Sequence, residues 1–499
     1  MERWSKDELD QVLRQRDTSR LEKLHTSIAR SKWRTQYHIQ TVTGLMNDPN
    51  GFSYYQKKWH LFYQWFPFGA VHGMKHWYHV TSDDLIYWNN EGMAMEPDLE
   101  YDNFGCYSGS GYPKGDYLYL VYTGNHNDVN GQRVPYQMIA AMNEEGKITK
   151  LKRPIIEPLK GYTEHQRDPK IFFEDGYYWI LMGAQDEQQR GKLLLYRSEQ
   201  IAIGWEFYGE LKVEGYESFG YMVECPDIEK IGDEWLLLFS PQGYHAKGDE
   251  YRNAYQNVYM VGQLDLKNKT FKPYAPYKEL DRGFDFYAAQ CANLGKASNK
   301  AILIGWYGCS DYNYPITDEE GWAGLQTLPR ELTIENHKLI QRPIPETEKI
   351  KGDKVFEALR GNITIDRMHG RMPKACVIEV SDPDDNTFEL GLFSETMKKG
   401  FAINYDTNRK YFTIDRKELE HQCNTDYGTD RRIRLENGLK SLKIFVDHST
   451  VEIFINNGEY VMSSRIFPTD SEHLIRMRGK DITLTVYQAK TTVKDNFVL

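Results

Sequence analysis

No apolar run in the 499-residue chain approaches the length of a membrane span, about 18 residues, so a helical membrane protein is excluded. The first residues, Met1-Glu2-Arg3-Trp4-Ser5-Lys6-Asp7, stay polar and offer no secretory apolar region, which makes the cytoplasm the expected address. Cysteine is sparse. Six residues, Cys106, Cys225, Cys291, Cys309, Cys376 and Cys423, are scattered without a C-x-x-C pair, which excludes a disulfide scaffold and suits reduced, buried side chains. Metal spacing is also missing: His72, His76 and His79 share one aromatic segment, but no helix with a Glu base accompanies them, so no metal site is expected. Nor is there an excess of positive charge. Lys and Arg number 62 against 72 Asp and Glu, a net charge of -10, which argues against nucleic acid or an anionic membrane as partner. A local basic pocket for a small anion remains compatible with that balance.

Aromatic residues are plentiful, at 14% of the chain, and they fall in short alternating runs. Before those runs, residues 5–32 carry the one helical pattern, with Leu9, Val12, Leu13, Leu21, Leu24 and Ile28 at three and four spacing. This predicts an N-terminal helical extension over 1–36, packed on the outside of the main domain. From Tyr37 onward the period changes to two. Runs such as Trp59–Gln64, Tyr117–Tyr122, Tyr177–Met182, Trp235–Phe239 and Ala301–Trp306 recur at intervals of roughly one blade, each after a Gly, Asp, Asn or Lys turn. One small sheet per period is the pattern of a propeller, and five units fill residues 37–345. Residues 342–356, with Pro343 and Pro345, read as a linker. Beyond it, strands such as Ala375–Val380, Phe388–Phe393, Leu442–Asp447 and Val451–Ile455 predict a β-sandwich over 356–499. The expected class is therefore all-β, a five-bladed propeller followed by a sandwich. Two domains suit a chain of this length.

Three acidic residues stand out in the repeat domain. Asp48, in Leu45-Met46-Asn47-Asp48-Pro49-Asn50-Gly51, has the composition of a tight turn just after a strand, which would present its carboxylate at an element end. Asp168 follows Arg167 and precedes Pro169. Glu224 sits among Met222, Val223 and Cys225 before Pro226. Each precedes a different blade run, and equivalent strands of a radial fold converge on its axis. Converging carboxylates suit glycoside hydrolysis, in which a retaining enzyme needs a carboxylate nucleophile and a second carboxyl group serving as acid and then base. Asn47 and Asn50 would keep Asp48 ionised, and the apolar neighbours of Glu224 would raise its pKa. Each residue also has a structural reading: turn-forming Asp48, an Arg167–Asp168 ion pair, a strand-end Glu224.

Asn47-Asp48-Pro49-Asn50-Gly51, Phe62-Tyr63-Gln64, Tyr107-Ser108-Gly109-Ser110, Arg167-Asp168-Pro169, Glu224-Cys225-Pro226 and Gly283-Phe284-Asp285-Phe286-Tyr287-Ala288 together resemble the invertase (β-fructofuranosidase) family of glycoside hydrolases. Gly305-Trp306, Gly321-Trp322-Ala323, Leu328–Leu332 and Ile444–Asp447 extend the likeness into both domains, over roughly residues 37–467. The resemblance implies a five-bladed propeller followed by a sandwich, with Asp48 as nucleophile, Asp168 as transition-state stabiliser and Glu224 as acid/base. It also implies sugar-contacting or pocket-lining positions for Asn47, Gln64, Trp77, Ser108, Arg167, Tyr287 and Trp306. No metal or organic cofactor is implied. The segment Pro67-Phe68-Gly69-Ala70-Val71-His72 has His72 where many secreted relatives carry tryptophan, and in this the chain is more similar to the intracellular sucrose-6-phosphate hydrolases. His72 and Lys75 are accordingly candidates for reading a substrate phosphate, with Arg282, His245 and Lys247 behind them. The expected activity is cleavage of the β-fructofuranosyl bond of sucrose 6-phosphate or sucrose. A fructan-degrading or fructosyl-transferring enzyme is the alternative, and a non-catalytic sugar-binding propeller a remoter one. The expected partner is a small sugar or sugar phosphate, and the sequence gives no oligomeric state.

Overall fold

The structure is a computed structural model that describes residues 4–296, 298–358, 362–365, 372–381, 387–395, 400–480 and 482–499. Five small sheets lie in a ring. Blade 1 is built from Gly44–Tyr55, Lys58–Phe66, His76–Ser82 and Trp88–Met95, and blade 2 from Cys106–Lys114, Tyr117–Asn127, Arg133–Met142 and Ile148–Lys150. Blade 3 comprises Tyr162–Glu174, Tyr177–Asp186, Gly191–Ser198 and Glu206–Glu210. Blade 4 is centred on Met222–Ile231, Glu234–Gln242 and Val258–Asp265, and blade 5 on Tyr287–Cys291, Ala301–Trp306, Arg330–Glu335 and Lys338–Pro343. The first strand of each blade is innermost, and these five strands pack in order around the axis, the fifth against the first. A short strand at Trp322–Ala323, far along the chain, pairs in parallel with Gly44–Leu45 and ties the last blade to the first. The aromatic runs read from the sequence lie on the second strand of each blade and are buried because both faces are covered by neighbouring sheets.

Two six-stranded antiparallel sheets follow, one running from Lys351–Ala358 to Tyr460–Arg465 and the other from Asn362–Ile365 to Asp430–Arg434. They enclose a separate core that includes Ile378, Leu390, Ile403, Ile444 and Ile453. Residues 342–356 differ from the expected open linker. Pro345–Ile350 is a 3-10 helix, and Lys351 already begins the first sandwich strand.

The joint between the two domains is dry and charged. Asp447 accepts the backbone N–H groups of Gln36, Tyr37 and His38 and also meets His38 Nδ1 at 2.9 Å, while His38 Nε2 lies 3.0 Å from Glu452. Alongside, Arg330 of blade 5 donates to Asp281, Glu452 and Ser463 within 3.0 Å, all fully buried.

The N-terminal segment also departs from its pattern. Within the helical extension it forms Lys6–Leu9, capped by Ser5, a 3-10 turn at Gln15–Asp17, and Thr18–Ile28, rather than one continuous helix. The cause is local: Leu9 O accepts from Met74 N at 2.7 Å and Leu13 N donates to His76 Nε2 at 3.2 Å. Those two groups would have bonded each other in a continuous helix.

Candidate active site

The innermost strands share one device. Each carries a bulge, between Met46 and Pro49, Cys106 and Gly109, Arg167 and Lys170, Glu224 and Asp227, and Tyr287 and Gln290. Proline, which has no N–H to give to a ladder, is accommodated at such bulges, and Pro49, Pro169 and Pro226 all occupy them. Asp48 therefore lies within the 12-residue strand Gly44–Tyr55 rather than in a turn after a strand; the same Asn, Pro and Gly that signal a turn also serve a bulge. Asp168, Cys225 and Ala288 adopt positive φ of 65°, 46° and 51°. Such left-handed non-glycine residues cost on the order of 1 kcal/mol each, which the surrounding structure offsets. The bulges re-aim side chains toward the axis, where a cavity of about 480 Å³ opens.

Asp48, Asp168 and Glu224 all line this cavity, joined by Asn47, Gln64, His72, Lys75, Arg167 and Tyr287. Asp48 is fixed from both oxygens. Asn47 Nδ2 donates to Oδ1 at 3.1 Å, and Ser108 Oγ donates to Oδ2. Those donors are oriented in turn: Asn47 Nδ2 also bonds Gln64 Oε1, Gln64 Nε2 donates to Ser108 Oγ at 2.8 Å, and Lys75 Nζ donates to Asn47 Oδ1 at 2.7 Å. Cys225 brings the first two carboxylates together, its Sγ lying 3.8 Å from Asp48 Oδ2 and 3.6 Å from Asp168 Oδ2, while its N–H donates to Asp168 at 2.9 Å. Glu224 faces them with both oxygens engaged. Arg167 donates to Oε1 from Nε and Nη2, at 3.2 and 2.7 Å, and Gln242 and Tyr287 donate to Oε2 at 2.8 and 2.7 Å.

These settings reverse the electrostatic expectation for Glu224. Burial raises its pKa, but the Arg167 guanidinium and the bonds from Tyr287 and Arg167 outweigh it, and the carboxyl is held below its ordinary value. Met222, Val223 and Cys225 do not set its environment, because the carboxylate reaches instead to groups from blades 3 and 5. Asp48 is raised by burial, with Ser108 opposing and the Glu224 charge adding to the rise. Asp168 is raised by burial as well, with Arg167 opposing. The three carboxyls titrate as one coupled set, and the first proton favours the aspartates.

Other sequence candidates fall in different places. Trp77 is 0% exposed and lies behind the wall, donating from Nε1 to Tyr107 O at 3.0 Å and packing on Phe62 and Tyr122. It therefore does not line the cavity, as a sugar-contacting residue would; strand alternation turns it into the space between blades 1 and 2. Ser108 is likewise buried and acts on Asp48. Trp306 lines an adjoining cavity of about 420 Å³ with His72 and Asp311, its ring 6.1 Å from that of His72. Lys75 is not at a rim: it is 5% exposed and sits between Asn47 and His72 Nδ1, 3.0 Å away. Arg282 is engaged by Glu279 and Glu250 outside the cavity. Sequence reasoning missed Leu9 and Asp10 of the N-terminal segment, Phe104, Tyr107, Arg133, Ser310 and Asp311, which complete the cavity wall. Tyr107 stands in a motif already noted and Leu9 in the helical pattern, but neither pattern points to the cavity; the others are brought in by the tertiary course of their loops and strands.

Carboxylates closing on one cavity of sugar size, Asp48 and Glu224 each bonded at both oxygens, form the site of a glycoside hydrolase. Residues 38–343 match the glycosyl hydrolases family 32 N-terminal domain, and 349–495 match the family 32 C-terminal domain. The chain belongs to glycosyl hydrolase family 32. It is 39% identical to a sucrose-6-phosphate hydrolase of Staphylococcus xylosus, over 94% of each chain, and 36% identical to one of Bacillus subtilis strain 168, over 93% of this chain and 95% of the relative. Among solved structures, a sucrose-6-phosphate hydrolase from Lactobacillus gasseri superposes with a TM-score of 0.91 at 34% identity, covering 98% of this chain and all of that one (100%). A Bombyx mori β-fructofuranosidase mutant in complex with sucrose gives 0.82 at 30% identity, covering 97% and 100%. Among the described residues no helix is long and apolar enough to cross a membrane.

Proposed function

We propose that this chain is a retaining β-fructofuranosidase that cleaves sucrose 6-phosphate, and sucrose less efficiently, in the cytosol. The observation that carries the reading is the pairing of an oriented Asp48 with Glu224 across one cavity, in a chain whose relatives are sucrose-6-phosphate hydrolases. In the first step an Asp48 oxygen attacks C2 of the fructosyl unit while Glu224 gives its proton to the glycosidic oxygen, releasing the glucosyl half. Glu224 then takes a proton from water, which attacks C2, breaks the ester to Asp48 and releases fructose. Asp168, brought beside Asp48 through Cys225, is suited to hold ring hydroxyls as positive charge develops at C2.

The reactive form has Asp48 ionised and Glu224 protonated. Burial raises the pKa of Asp48 and the Arg167 charge lowers that of Glu224, so this arrangement runs against both shifts. A glycosyl oxygen arriving at Glu224 provides the proton acceptor that makes use of it.

Specificity constants of pure protein for sucrose 6-phosphate, sucrose and a fructan test the substrate, and NMR of fresh product tests the route. Two inversions release β-fructose first. First-formed α-fructose would exclude the Asp48 ester, and equal constants for the two sucroses would exclude the phosphorylated substrate as the preferred one.

A further inference from the structure

Asp10 and Asp311 are among the residues that line the cavity, and their charges repel an anion. Arg133 lines it too, entering from the third strand of blade 2 with only neutral partners: Nε donates to Asn125 Oδ1 at 2.7 Å, and the guanidinium lies over the Tyr107 ring at 5.0 Å. Its Nη2 is buried with no hydrogen-bond partner, and among the described residues no carboxylate forms an ion pair with it. The residue is half-buried, and a guanidinium whose buried nitrogen has no partner is costly unless a ligand supplies one. Arg167, the other arginine of the cavity, is paired with Glu224 instead.

His165 is next to this group. Its Nδ1 lies 2.9 Å from Arg167 Nη1, and its side chain is 35% exposed, with Glu164 at 3.8 Å on its outer edge. Burial first, and then the charges of Arg167 and Arg133, hold the imidazole below its usual pKa.

We propose that Arg133 is the subsite for the phosphate of the glucosyl 6-phosphate half of the substrate. This rests on the reading that the substrate is sucrose 6-phosphate, and it replaces His72 and Lys75 in that role. The placement follows the chemistry: Asp48 must face C2 of fructose and Glu224 the bridging oxygen, so the glucosyl unit extends past Glu224. Arg167 links Glu224 to His165 on that side. The guanidinium provides the fork that matches two phosphate oxygens.

The test compares wild type, Arg133→Gln and Arg133→Lys, reading kcat/KM for sucrose 6-phosphate and for sucrose together with inhibition by glucose 6-phosphate and by glucose. Circular dichroism and a cooperative unfolding transition report that each variant is folded. Arg133→Gln is expected to lower the ratio of the two specificity constants by 10- to 100-fold, as expected for a lost charge-assisted fork, and to weaken inhibition by glucose 6-phosphate more than by glucose. Arg133→Lys, which keeps the charge but loses the fork, should fall between. A wild type that prefers the phosphorylated substrate, with the same ratio in Arg133→Gln, overturns this subsite and leaves the proposed function standing. A wild type with no preference overturns both.

Discussion

Lys75 is the most informative single position, because its removal should move activity and stability in ways that separate from each other. Its ammonium is buried, and burial pushes its pKa down to about 7, with the Asp48 charge alone pulling it back. Lys75→Met keeps the stem and deletes the charge. The lost bond to Asn47 Oδ1 is charge-assisted and worth ~1.5–3 kcal/mol, which corresponds to about 10- to 100-fold in kcat/KM if it is expressed in the transition state. Because Asn47 serves Asp48, which both substrates use, sucrose and sucrose 6-phosphate should decline together. Stability follows a different course. Below pH 7 the lysine is protonated in both folded and unfolded chains, and its burial cost is at its largest. Between the folded value and the ordinary value of about 10.4, the unfolded chain holds one more proton, so wild-type stability rises with pH. The slope is at most about 1.4 kcal/mol per pH unit, giving no more than about 2.7 kcal/mol between pH 7 and 9. Lys75→Met lacks this contribution. Urea unfolding of both proteins from pH 6 to 9 should therefore show the wild type gaining on the variant as pH increases. A difference that stays flat or runs the other way refutes the burial argument, and a loss confined to the phosphorylated substrate refutes the role through Asn47.

Glu224→Ala should lower turnover by roughly 10²–10⁴-fold and recover part of it on a substrate whose leaving group needs no proton. Asp48→Ala should be at least as impaired and show no such recovery; equal recovery in both would exchange or abolish their roles. Trp77→Phe loses the bond to Tyr107 O and leaves space between blades 1 and 2, at a cost of about 1–3 kcal/mol by chemical unfolding, and a larger effect on KM than on stability would return Trp77 to the sugar. His38 is opposed by burial, but Asp447 and Glu452 raise its pKa to about 9. The stabilisation is fully present below pH 6.5 and is lost as pH rises through 9, so the advantage of wild type over His38→Gln should shrink across that window, opposite in sign to Lys75.

The blades were legible because their second strands are buried on both faces and so read as aromatic runs between turns. The carboxylates were legible for a related reason: Asp48 and Asp168 stand directly before a proline and Glu224 two residues before one, and a proline inside an inner strand requires a bulge. What stayed hidden depends on partners distant in the chain. Glu224 receives its donors from Arg167, Gln242 and Tyr287, 57, 18 and 63 residues away, so its apolar neighbours in sequence gave the wrong sign of shift. Trp77 lies beside motif residues, yet strand alternation alone does not tell which face of blade 1 meets the axis. The broken N-terminal helix was invisible because its periodicity is sound; Met74 and His76 capture the backbone groups it needed.

The charged joint between the domains also has a consequence in time. A ribosome delivers Arg330 and Asp281 long before Glu452 and Ser463, which lie 122 and 182 residues later than the partners they answer. His38 waits still longer for Asp447, 409 residues on. At about 5–20 residues per second, the gap for Arg330 alone is several seconds or more. Until it closes, burying those charges would cost several kcal/mol apiece, so the emerging propeller must keep that face open to water. Every residue of the cavity is made by Asp311, yet the fold that holds them is sealed by side chains among the last to leave the ribosome. Truncating the sandwich should therefore abolish activity without removing a single residue of the site.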